Sequence, residues 1–192
     1  QDNDTLGMIV FNGYNGSGFR NAAQILAEVD GTPTSSGDDS DMPGALVFKT
    51  SEDGTNVPAE NLRITSTGRV GIGITIPTSK LHVTGDAIIS GVVTATDFDA
   101  TSDIRLKTNI QPIDDPIAKV VQIEGVSFNW KKDDRPALGV IADQVEKILP
   151  QLVHGDDPKT VNYNGLVGLL IEVVKDQQNQ IDTLNERISK LE

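Results

Sequence analysis

The last thirty residues carry the tightest constraint in the sequence. Val167, Leu170, Val174, Gln177, Ile181, Leu184, Ile188 and Leu191 are spaced alternately three and four apart. An α-helix that repeats apolar residues this way presents a narrow seam, which is satisfied by another helix lying along it. The spacing predicts a coiled-coil helix over about residues 165–192, capped at its start by Asn164. β-branched residues at the first heptad position with leucine at the fourth favour two strands. Ile171 and Val173 widen the apolar face near the start, which suits a larger bundle or docking on the domain body. The seam alone leaves two chains, three chains and packing on its own domain open.

The rest of the chain divides in two. Residues 1–101 read as strands and turns: Leu6 to Phe11, Ala45 to Lys49, and Leu81 with Val83 are short apolar pieces. Leu62, Ile64, Val70, Ile72 and Ile74 alternate around a turn at Thr67-Gly68. Asn12-Gly13, Asn15-Gly16 and Asp53-Gly54 are turn dipeptides, and Thr32 to Asp41 is a polar loop. Aromatics are scarce and the apolar runs short, so one copy would bury little surface. Completing the core with strands of identical neighbours, in an intertwined β-fibre, solves this; a small β-sandwich is the alternative. Residues 102–192 change to mixed α+β. Asp115 to Ile123 predicts a short helix, and Val126, Phe128 and Trp130 predict a strand. Gly139 to Leu149 predicts a second helix that Pro150 stops.

Composition excludes several kinds of function. The chain holds no cysteine and has a net charge of -12, with both halves acidic. There is no basic patch to replace counterions on nucleic acid, and no apolar run long enough for membrane insertion. His82 and His154 have no zinc-ligand spacing, so no metal and no cofactor is expected. Gly71-x-Gly73 lacks the third glycine of a dinucleotide fingerprint. The opening at Gln1 is what a piece of a longer protein would show.

At the junction stands Ser102-Asp103-Ile104-Arg105-Leu106-Lys107. A serine becomes a nucleophile when a base takes its proton, and a lysine is such a base once it is neutral. Burial or a neighbouring cation must favour that state, and Leu106 and Arg105 are the candidates for each. In an extended strand Ser102 and Lys107 face opposite ways. A bend at Asp103 or Ile104, or a residue from another subunit, is needed to complete the pair.

Three motifs occur in order: S-D-x-R-x-K-x-N-I from Ser102, G-V-I-A-D-Q-V-E-x-x-x-P-x-L-V from Gly139, and V-x-Y-N-G-L from Val161. Together with the heptad tail they resemble the intramolecular chaperone domain at the C-terminus of phage endosialidase tailspikes and tail fibres. The first half is similar, more loosely, to phage fibre shafts through Gly44 to Thr50, Leu62-Arg63-Ile64, Gly68 to Gly73 and Lys80 to Val83. The resemblance implies a β-rich trimeric fibre segment (1–101) followed by an α+β chaperone domain (102–192) ending in a coiled coil. It implies a homotrimer whose fibre meets a host-cell receptor, located in the virion, with the chaperone domain released in the host cell during assembly. It further implies self-cleavage at Thr101–Ser102, with Ser102 as nucleophile, Lys107 as base, and Asp103 and Arg105 in support. A trimerising module that never cuts is the alternative. A membrane-anchored regulator releasing a DNA-binding part would need a basic domain and a spanning helix, and the sequence has neither.

Overall fold

The computed structural model describes residues 3–33 and 41–191, so most of the expected loop at Thr32 to Asp41 lies outside the described residues. The chain forms two compact units, Gln1–Phe98 and Asp99–Glu192.

The first unit is one six-stranded sheet in the order of the sequence: β1 (Thr5–Tyr14), β2 (Phe19–Val29), β3 (Gly44–Thr50), β4 (Ala59–Ile64), β5 (Val70–Ile72) and β6 (Leu81–Val83). Neighbours are antiparallel except β5 and β6. The Asn15-Gly16 turn forms as the dipeptide predicts. Asn15 Oδ1 accepts from the backbone N–H groups of Ser17 (3.0 Å) and Gly18 (3.1 Å), and Gly16 adopts φ 93°. Asn12-Gly13 does not turn. It stays inside β1, beside a register irregularity at Phe11/Asn12. The strand hidden from sequence reading is β2, because Ala22-Ala23-Gln24-Ile25-Leu26-Ala27-Glu28 carries helix-forming residues. Pairing on both edges overrides that preference, and β2 supplies Leu26 and Val29 to the buried interior.

Register gives the sheet two unlike faces. Ile9, Ile25, Phe48, Leu62, Ile72 and Val83 form one cross-strand row, and Ala27, Leu46, Ile64, Val70 and Leu81 form the next. This face is apolar across the sheet, yet Leu46, Ile64 and Ile72 in its interior strands are 38–39% exposed. The opposite face holds Leu26, Val47 and Arg63 in one row, with Glu28 and Ala45 beside them, all buried.

Expected alternation fails at Ile74. Gly73 takes φ 68° and turns the chain back, so the Ile74 carbonyl oxygen lies over Gly71. A Cβ at Gly71 would collide with that oxygen, which is backbone and cannot swing away. Gly71→Ala is expected to cost about 1–3 kcal/mol through this overpacking. A fall in the urea midpoint of the whole chain checks it, and an unchanged midpoint would show that the 73–77 turn relaxes freely.

The second unit contains α1 (Pro116–Val120), a hairpin of β7 (Val126–Asn129) and β8 (Pro136–Gly139), α2 (Ala142–Ile148), a small β9–β10 ladder (Val153–His154, Thr160–Val161) and α3 (Tyr163–Ser189). The expected second helix is shortened at its start. Gly139 ends β8, and α2 begins at Ala142. Trp130 lies just beyond β7 and stacks edge-on against Phe128, with ring centroids 5.3 Å apart. The core is Val145, Leu149, Leu169 and Val173, with Ile117, Val120 and Leu166 packed around it. The N-cap of α3 is Asn162 rather than Asn164: its Oδ1 accepts from Gly165 N–H at 3.2 Å.

Candidate functional site

Ser102 and Lys107 meet within one chain. Instead of an extended strand, Ile104–Leu106 makes a 3-10 turn with Asp103 as its N-cap. Leu106 N–H donates to the Asp103 carbonyl and Lys107 N–H to the Ile104 carbonyl, both at 3.1 Å. That reversal cancels the opposed directions of a strand, and Lys107 Nζ lies 2.6 Å from Ser102 Oγ. No neighbouring chain is needed for the pair to form.

Asp103 holds the turn in two ways. Its Oδ1 accepts from Arg105 N–H at 2.8 Å, the capping bond. The Arg105 guanidinium grips the same carboxylate through Nε at 3.0 Å and Nη2 at 2.5 Å. Arg105 is thus committed to Asp103. Leu106 and Ile104 are 73% and 72% exposed, so neither shields Lys107 from water in the single chain. Thr101 is exposed and outside regular structure.

The Arg105 side chain, then its backbone N–H, holds the Asp103 carboxyl below the usual carboxylate range. A depressed carboxyl contributes its share above the unfolded value and loses it as pH falls through the lower folded one. The cap is therefore expected to persist through neutral and mildly acidic pH, and to loosen only below the ordinary Asp range. A carbon-detected titration of Asp103 should give a midpoint under about 3.9 that rises in Arg105→Ala. Equal midpoints in the two proteins would contradict the clamp.

Seven of the eight seam residues share one strip of α3, Leu191 falling just past its end, and the strip stays exposed on the single chain. Val167, Leu170, Val174, Ile181, Leu184 and Ile188 are 48–62% exposed. The adjoining strip does the docking: Leu169 and Val173 are 2% and 5% exposed against Val145 and Leu149. The helix therefore packs on its own body and keeps a free seam. These were alternatives in the sequence, and they occupy different faces of one helix.

Sequence reading passed over Lys159. Its Nζ bridges Asp143 and Glu146 of α2, at 2.7 Å each, tying the β9–β10 loop to the helix that carries the second motif. The two acids, Asp143 first, push the lysine up from its ordinary value. Nothing in local spacing links a lysine to acids more than a dozen residues earlier. Among the described residues no cluster of potential metal ligands occurs and no helix is long and apolar enough to cross a membrane.

Residues 102–154 match the family described as the chaperone of endosialidase, and the match begins at Ser102. The long tail fibre protein Gp37 of Salmonella phage S16 is 26% identical over 127 residues, 57% of this chain and 17% of that protein. Gp37 of Enterobacteria phage K3 is 30% identical over 102 residues, 47% of this chain and 8% of its own length. The chain thus spans less than a fifth of these relatives. In fold it is similar to the carboxy-terminal domain of the bacteriophage T5 L-shaped tail fibre with its intra-molecular chaperone domain. The TM-score there is 0.55 at 18% identity, covering 79% of this chain and 36% of that one. From Ser102 to His154 the chain matches the chaperone of endosialidase, and it is similar over a longer stretch to phage long tail fibre proteins.

Proposed function

We propose that this chain is the end of a homotrimeric tail fibre whose chaperone domain aligns three chains and then cuts itself free at Thr101–Ser102. The observation that carries the cutting step is the 2.6 Å approach of Lys107 Nζ to Ser102 Oγ at the first residue of the family match. With its amine neutral, Lys107 takes the Ser102 hydroxyl proton as Oγ attacks the Thr101 carbonyl carbon. The tetrahedral adduct collapses by breaking the Thr101–Ser102 C–N bond, and the departing Ser102 nitrogen takes up a proton. This leaves the Thr101 acyl group as an ester on Ser102 Oγ. Water hydrolyses the ester to a Thr101 carboxylate and restores the hydroxyl. Asp103 and Arg105 act on this chemistry only by holding the turn.

Assembly is supported by surfaces that one chain leaves open: the apolar face of the sheet, both faces of β1, and the seam of α3. Neighbouring chains laid on these surfaces would finish the core. Strand pairing between chains is slow because distant segments must meet, and a helical clamp at one end raises their effective concentration. After the cut the trimer cannot unfold by the route it took, so it persists behind a kinetic barrier. In this reading the fibre stays in the virion and meets a host receptor, while residues 102–192 are shed in the host cell.

Expression of the whole chain tests the proposal. A denaturing gel is expected to show two bands of roughly half mass, the smaller opening on Ser102 by terminal sequencing, and light scattering is expected to show trimers before denaturation. A single full-length band with trimeric mass would favour a trimerising module that never cuts. A monomer would overturn the assembly reading.

A further inference from the structure

One seam position is polar. Gln177 occupies the fourth place of its heptad, with Leu170 before it and Leu184 after it in the same place. It is exposed on the single chain, like its apolar neighbours in the strip. From Val174 to Ile188 the flanking positions carry Gln178, Gln180 and Asn185, with Arg187 the one charge. Flanking charges therefore do little to set the direction or stagger of helices meeting on this seam. The task falls to Gln177.

An amide both donates and accepts, so it is satisfied by another amide at the same level and left unpaired against a hydrocarbon. Parallel helices in register place each Gln177 beside the others. An antiparallel layer mixes first and fourth positions. Full overlap would then set Gln177 against Ile181, the residue at the mirrored place among the eight. A parallel pair staggered by one heptad sets it against Leu170 or Leu184. Each of these alternatives buries an unpaired amide.

We infer that α3 binds further copies of this chain in parallel and in register, and that a layer of Gln177 amides bonded to one another selects this arrangement. The inference rests on the reading of the chain as a homo-oligomeric fibre end. It adds how alignment is enforced: chains locked level at Gln177 present their Ser102 turns and fibre strands level as well.

The chain has no cysteine of its own, which makes a single introduced cysteine a clean probe. Leu184→Cys in the whole chain, which keeps Gln177 and sits at the same heptad place, is expected on mild oxidation to form disulfide-linked pairs about tenfold faster than Asn179→Cys on the outer side of the helix. In a trimer the links should stop at about two thirds of the chains, since each closed trio leaves one thiol over. Both readouts survive self-cleavage because the introduced thiol stays with α3. Equal rates for the two variants, in protein that light scattering shows to be assembled, would overturn the inference while leaving the proposed function standing. Monomeric protein would remove both. Gln177→Leu is expected to raise the Tm by a few degrees and to split one assembly into several by native mass spectrometry. A single assembly of unchanged mass would deny Gln177 its selecting role.

Discussion

Ser102→Ala is expected to leave the chain whole, as one band that does not diminish over days. A hydroxyl that supplies the attacking oxygen has no substitute in a turn as exposed as Ile104–Leu106. Ser102→Cys, which keeps a nucleophile at the same place, should still cut, though at a different rate. Lys107 separates the base from a mere hydrogen-bonding partner. Lys107→Met should slow conversion of full-length chain by about 10²–10⁴-fold, the usual worth of a positioned general base. Lys107→Arg should fare no better, because a guanidinium still donates to Ser102 but holds its proton. Cutting at the unaltered rate in Lys107→Arg would show that Lys107 only orients the serine. Assembly should persist in all four variants, since none of them alters a seam residue or a strand residue.

The second large effect is expected at Arg63, in the sheet of the first unit. Its Nη2 lies 2.8 Å from Glu28, its Nε 2.6 Å from Glu60, and all three side chains are nearly covered. The hydrogen bond to Glu60, with the further charges of Glu28 and Asp30, pushes the guanidinium up despite its burial. Removing one member of a buried ionic cluster strands the others without solvent. Arg63→Ala is therefore expected to cost about 3–5 kcal/mol, read as a large fall in the denaturant midpoint of the first unit. Replacing the cluster as a whole is different. Arg63→Met with Glu28→Leu and Glu60→Leu should restore most of the loss, because no charge remains to be stranded. If the triple variant is as unstable as Arg63→Ala, the cluster contributes net attraction beyond mutual compensation.

Legibility from sequence followed the range of the interaction. Turns set by a dipeptide's own backbone preference, such as Asn15-Gly16 and Thr67-Gly68, form where the sequence places them. Asn12-Gly13 has equal preference but lies inside β1, where the ladder to β2 outweighs it. Ala22 to Glu28 carries helix-forming residues that no strand reading singles out, yet it pairs as β2 and buries Leu26 and Glu28, because partners on both sides decide. The cap of α3 moved two residues, since Tyr163 already lies within the helix and Asn162 meets the free N–H groups.

The heptad seam and the ordered motifs were determined by sequence alone, because each is a one-dimensional pattern of side-chain types. The residues Ser102 and Lys107 were likewise nameable in advance. Tertiary structure decided which strip of α3 docks, for Leu169 and Val173 find Val145 and Leu149 only once α2 has folded beside them. Local structure beyond any periodicity decided that Ser102 and Lys107 touch. An aspartate cap and an arginine clamp favour a tight turn over a strand, and side chains that would diverge along a strand are brought to one point.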